Sequence, residues 1–161
     1  MICCYDELKG CLNMTISIKT KSLKDPTDKS ADGLRILISL FRPRYLPKDK
    51  ENWDLWCKEL APSRALWKEY VKDKNIDWTE YSRRYIEEIK DNPQAIQLLQ
   101  ILSFFVNDRN HRKKPPTQLQ QEQQKIYDQI QKYNTVTLLC HCKDEKLCHR
   151  SIIKDIIYSN F

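Results

Sequence analysis

Residues Val136 to Ser151 read VTLLCHCKDEKLCHRS, an apolar run that ends in three cysteines, two histidines and an arginine before a new apolar-periodic segment begins. Such a run fits a buried strand handing over to a helix, with the reactive side chains gathered at the junction. A second stretch, Leu34 to Arg44 (LRILISLFRPR), has the same shape: a run apolar on both faces that ends in an arginine-bearing turn. A strand apolar on both faces belongs inside a covered sheet. If the two strands run parallel, both ends meet on one rim, which is where open parallel sheets bind ligands.

Working outward, Ile16 and Ile18 alternate with polar neighbours as in a short half-buried strand, and Asp25-Pro26 and Asp32-Gly33 bracket a polar connection. Trp53, Trp56 and Leu60 keep a 3,4 spacing that predicts a helix, stopped by Pro62. Ser63 is placed to cap a second helix bearing Leu66, Trp67, Tyr70 and Val71. Asp77 caps a third whose stripe is Trp78, Tyr81, Tyr85 and Ile89. The tryptophans on these stripes read as core packing. Asn92-Pro93 opens an apolar helix to Val106. A basic loop, NDRNHRKKPP (107–116), leads to a glutamine-rich helix with Leu119, Ile126, Ile130 and Tyr133 at helical spacing, its glutamines on the wet face. Ile152, Ile153, Ile156 and Ile157 mark a closing helix. Strands alternating with helices predict an α/β fold, a small, largely parallel sheet covered by helices, in one compact domain over 1–161.

The 161 residues carry 28 basic and 22 acidic side chains, a formal charge of +6 that favours anionic partners. Seven cysteines and the lack of a secretory leader pattern point to a reducing, cytoplasmic setting, and no apolar run approaches the roughly 20 residues of a bilayer span. Two glycines are too few for a glycine-rich phosphate loop, and the sequence implies no cofactor.

The segments WDLWCKELAPSRALWKEY (53–70), WTEYSRRYIEEI (78–89) and VTLLCHCKDEKLCHRSIIKDII (136–157) together resemble the bacterial and archaeal proteins grouped as domain of unknown function 488. The resemblance covers about 34–157 and implies no established activity. Residues 107–133 look like an insertion. The family's first strand commonly runs into an aspartate-arginine pair and a tryptophan-proline-arginine-glycine turn. This chain has Ser39-Leu40 and Arg42-Pro43-Arg44-Tyr45, so only Pro43 and Arg44 carry over.

The chemistry of the last segment leaves several readings open. In extended backbone Cys140 and Cys142 share one side and His141 takes the other. Cys148, His149 and Arg150 fall at the helix start, where free N–H groups and the dipole favour an anion and a lowered thiol pKa. Cys142 or Cys148 as thiolate with His149 as acid-base partner, and Arg42, Arg44 and Arg150 as ligand-binding groups, make a site for a phosphate-bearing or other anionic small molecule. The spacing departs from the phosphate loop of cysteine phosphatases, since seven residues separate Cys142 from Arg150 and the loop between holds two acids and no glycine. A metal, if bound, would take Cys140, Cys142, Cys148 and His149, although C-x-C-x5-C-H is unlike the usual zinc knuckle. The alternative is a noncatalytic nucleic-acid-binding or regulatory module, with the 109–114 loop on phosphates and the cysteines structural or redox-sensing. Buried cysteines are also commonly plain small hydrophobes.

Overall fold

The computed structural model describes residues 16–107 and 121–159. Its sheet has four strands, all parallel, in the order β1-β4-β2-β3: β1 Ser17–Ser22, β2 Leu34–Leu37, β3 Leu55–Trp56 and β4 Thr135–Cys140. The predicted covered parallel sheet is therefore present, with β4 and β2 in the middle. Around it lie α1 Lys29–Asp32, α2 Arg64–Trp67, α3 Trp78–Lys90, α4 Pro93–Asn107, α5 Gln121–Ile130 and α6 His149–Ser159.

Register explains the two faces. Ile18, Val136 and Leu34 are aligned across the three strands, as are Thr20, Leu138 and Ile36. These rows project to the side that α3, α4 and α6 cover, and with Leu99, Ile101, Tyr85 and Ile153 they form the main core. The intervening rows, Lys19–Thr137–Arg35 and Lys21–Leu139–Leu37, face the other way. There Leu37, Leu139 and Leu23 pack under Trp53 and Trp56. Cys140 continues the core-side row, so its sulfur emerges at the carboxyl edge of the sheet, beneath the start of α6.

The caps sit where the sequence places them. Ser63 Oγ accepts from the Leu66 amide, Asp77 from Glu80, and Asn92 from Gln94 and Ala95. Each satisfies orphan donors of a helix start, an effect worth about 1 kcal/mol. Three expectations need correction. Trp53 to Leu60 forms no helix but the short edge strand β3 and a 3₁₀ turn at Lys58–Leu60. Pairing of Leu55 and Trp56 with Ile36 and Leu37 outweighs a three-residue spacing that suits either structure. The second face of β2 is not wholly apolar, because Arg35 is buried there against Asp32. Gln123, expected on the wet face of its helix, turns inward and bonds Gln97.

The 25–33 connection contains α1, capped by Asp28, whose carboxylate takes the Ser30 and Ala31 amides. Gly33 ends it at φ 60° and ψ −136°, and a Cβ there would stand 2.1 Å from the Thr135 carbonyl oxygen. Only glycine fits so close to β4 in that conformation. The turn sets Asp32 over the sheet between Lys21 at 2.6 Å and Arg35. No helix among the described residues is long and apolar enough to cross a membrane. Residues 108–120, which include His111 and the basic run expected to form a loop, and Cys3, Cys4 and Cys11 lie outside the described residues.

Candidate functional site at the carboxyl edge of the sheet

Because β2 and β4 are parallel, the turn after β2 and the segment after β4 meet, enclosing a cleft of about 430 Å³. Ser39 to Tyr45 form one wall, and Cys140, His141, Cys142, Leu147, Cys148 and His149 form a second. Trp67, Tyr70, Val71 and Tyr81 close the third side, and no carboxylate among the described residues lines the cleft. Tyr70 and Tyr81 are brought in by α2, its π-helical continuation Lys68–Asp73, and α3. Their rings stack at 4.4 Å, and Tyr81 passes the stack to Tyr85 at 6.0 Å. π-helical turns widen the helix locally and recur at functional sites.

At the floor stand three thiols. Cys140 Sγ and Cys142 Sγ are 3.7 Å apart, and the sulfurs of Cys140, Cys142 and Cys148 all lie within 4.8 Å of one another. Cys140 and Cys148 are buried while Cys142 is half-exposed toward the cleft. The Cys140 thiol donates to Cys142, Cys148 stands close by, and these thiols together with the Arg150 cation draw the Cys142 pKa below the ordinary thiol value. Sharing their protons with Cys142 pushes Cys140 and Cys148 up. Of the three, Cys142 is the one whose neighbours favour loss of its proton. The same three sulfurs are near enough to face one thiophilic metal ion.

His149 is buried. Its Nε2 lies 2.8 Å from the Ile38 carbonyl, an oxygen that can only accept, so Nε2 carries the proton and Nδ1, 4.0 Å from Cys148 Sγ, is free to accept. Burial lowers its pKa, so the ring stays neutral. It stands beside Cys148 and is not among the three residues whose ligand atoms lie within 4.8 Å of one another. His141, across the strand, places Nε2 3.0 Å from the Phe41 carbonyl and packs edge-on to Tyr45.

The arginines part company. Arg42 and Arg44, held by Pro43, line the cleft mouth, Arg42 pairing with Glu51. Arg150, read from sequence as a ligand-binding group, does not line the cleft. It is 2% exposed, and its guanidinium donates to the carbonyls of Cys142 at 2.7 Å, Lys21 at 3.2 Å and Lys143 at 3.3 Å. Its acceptors come from β1 and from the loop after β4, so it fastens the cysteine turn to the sheet from behind. No carboxylate among the described residues pairs with it, and its charge lowers the pKa of Cys142. The acids of the loop turn away: Asp144 takes the Lys146 amide and Glu145 the Thr20 hydroxyl.

Sequence reading missed Phe41, Trp67, Tyr70 and Arg64 as parts of this region. Trp67 and Tyr70 were assigned to core by their spacing, and the signal available was the stride Arg64, Lys68, Lys72, which puts a basic row beside them.

The family described as "Active DUF488-N3 subclade" matches residues 18–113 and 109–160. Two relatives share part of the chain. The uncharacterized protein Rv3073c of Mycobacterium tuberculosis is 33% identical over 67 residues, 42% of this chain and 56% of that protein. The uncharacterized protein YeaO of Escherichia coli is 32% identical over 79 residues, 49% of this chain and 67% of that protein. The chain thus spans little more than half the length of the first of these. No solved structure matches it significantly. With the family match running through both central strands and the cysteine turn, the chain belongs to the domain of unknown function 488 family.

Proposed function

We propose that the cleft binds a phosphate-bearing or similarly anionic ligand and that Cys142 acts on it as a thiolate nucleophile. The observation that carries this reading is the cluster of three sulfurs within 4.8 Å, one of them opening onto a cleft without acids. Arg42 and Arg44 hold the anionic group at the mouth. Cys142 Sγ attacks an electrophilic centre of the ligand: the bond to sulfur forms as the bond to the leaving group breaks, and the departing group keeps the electron pair and takes a proton from Cys148 or Cys140. Arg150 and His149 are positioning residues that act through the cysteines, Arg150 from behind the turn and His149 beside Cys148.

The test is alkylation by iodoacetamide, followed peptide by peptide in a mass spectrometer from about pH 8 to about pH 5. An ordinary thiol slows roughly tenfold per unit over this range because only its thiolate reacts. Cys142 is expected to keep its rate, with Cys57, pushed up to about 12 mainly by burial, as an unreactive internal control. A Cys142 rate that falls like that of an ordinary thiol overturns the reading. So does stoichiometric zinc in the purified protein that disappears in Cys140→Ala.

A further inference from the structure

A groove of about 530 Å³ runs out of the cleft and shares with it Phe41, Arg42, Arg44 and Trp67. Its remaining lining is Arg64, Lys68 and Lys72, so five of its seven lining residues are cations and none is an acid. Arg42 pairs with Glu51, and Lys68 lies a loose 3.7 Å from Asp73. Arg44, Arg64 and Lys72 have no carboxylate partner among the described residues. Arg64, Lys68 and Lys72 stride by four along one continuous helical segment, α-helical to Trp67 and π-helical beyond it, with about 6 Å from the first to the second at the α-helical rise. A row of that length exceeds what one phosphate needs and suits the successive phosphates of an extended strand.

The wall between groove and cleft is aromatic. Phe41 meets Trp67 edge-on at 5.0 Å, and the Arg64 guanidinium lies 5.6 Å over the Phe41 ring. The cleft itself is flanked by exposed apolar side chains at its mouth, Tyr45 at 60%, Val71 at 46% and Leu147 at 47%. Isolated apolar side chains on a surface mean little, but these ring one opening beside a cationic row. Stacking surfaces joined to a positive track are the means by which single-stranded nucleic acid is held without a base code. A cleft of about 430 Å³ takes an unstacked base and has no room for a duplex.

We infer that the substrate reaches Cys142 as part of single-stranded nucleic acid, its phosphates along Arg44, Arg64, Lys68 and Lys72 and one base turned past Phe41 and Trp67 into the cleft. This rests on the cleft being the ligand site proposed above, and it names the class of ligand.

The test is fluorescence anisotropy of a short labelled DNA or RNA strand titrated with the full chain over a range of salt. The comparison is the Arg64→Ala/Lys68→Ala/Lys72→Ala variant, with circular dichroism to confirm that this exposed row can be removed without unfolding. Single strands are expected to bind more tightly than the matched duplex. The variant is expected to bind at least tenfold more weakly and to lose about two units of the log–log salt slope, at roughly 0.7 per phosphate contact on a single strand. Equal affinity for the duplex, an unchanged slope in the variant, or competition by a mononucleotide as effective as the strand overturns the inference. So does binding to anionic phosphatidylserine vesicles in place of the strand. Alkylation profiles on the same samples keep the two readings apart. A flat Cys142 profile without strand binding sinks this inference alone, and slope-dependent strand binding with an ordinary Cys142 profile sinks the thiolate and supports the groove.

Discussion

Two buried polar clusters lie on opposite sides of one sheet, and they differ in what they leave unfinished. On the α1 side, Asp32 is enclosed by Arg35 and Lys21, and its backbone carbonyl also accepts the Thr137 hydroxyl at 2.7 Å. One buried carboxylate there serves two cations, and the cleft lies elsewhere. On the helix-covered side, Cys142 has two further thiols beside it and Arg150 on its carbonyl, and it is half-exposed along the cleft. Both clusters displace pKa values, yet Asp32 is buried while Cys142 lines a cleft. A shifted pKa therefore points to chemistry when the group also has an approach.

The largest effect should come from breaking the closed cluster. Asp32→Ala leaves Arg35 buried without its carboxylate and is expected to cost about 3–5 kcal/mol in urea unfolding. Burial tends to raise the Asp32 pKa, but Lys21, the Asp28 amide and Arg35 outweigh it and hold the carboxyl below its ordinary range. Its contribution is thus complete above about pH 4 and disappears as pH falls through the lower folded value. A wild-type acid transition that coincides with that of Asp32→Ala would break the comparison. Gly33→Ala comes next. The added methyl meets Thr135 O in a conformation reserved for glycine, and a loss of about 3 kcal/mol is expected from the strain and the forced shift of β4.

At the open cluster the effects fall on reactivity. Cys140→Ala removes one donor to the thiolate and should move the Cys142 alkylation profile up by about one pH unit, with melting temperature changing little. A large melting shift with an unmoved profile would make Cys140 a packing residue. The smallest effect belongs to His149. Its folded pKa is lowered by burial, so the unfolded chain binds more protons, and stability is full above about pH 6.5 and declines as pH falls toward the folded value. Melting temperature followed across this range should decline in the wild type and stay flatter in His149→Gln, where the Ile38 carbonyl can still receive a donor.

What could be read in the chain was local. Ser63, Asp77 and Asn92 cap helices because each side chain bonds amides two or three residues away, and such offsets are visible in a sequence. The cysteine turn was visible as a cluster for the same reason. Which of the three cysteines stays half-exposed was not, since it depends on how the fold buries Cys140 and Cys148 around Cys142. Arg150 was misplaced because its acceptors include Lys21, 129 residues away, and no spacing rule reports such a contact. The false helix at Trp53 to Leu60 arose because the register that made β3 a strand is supplied by β2, well upstream.

The position of β4 between β1 and β2 bears on how the chain is made. The strand that joins the sheet is synthesised more than ninety residues after both of its neighbours, so on the ribosome β1 and β2 wait with unpaired edges and apolar rows uncovered. Long-range parallel pairing of this kind is slow and leaves a nascent chain open to aggregation. The cysteines arrive with β4 or just after it, and their shared chemistry begins only when the sheet closes.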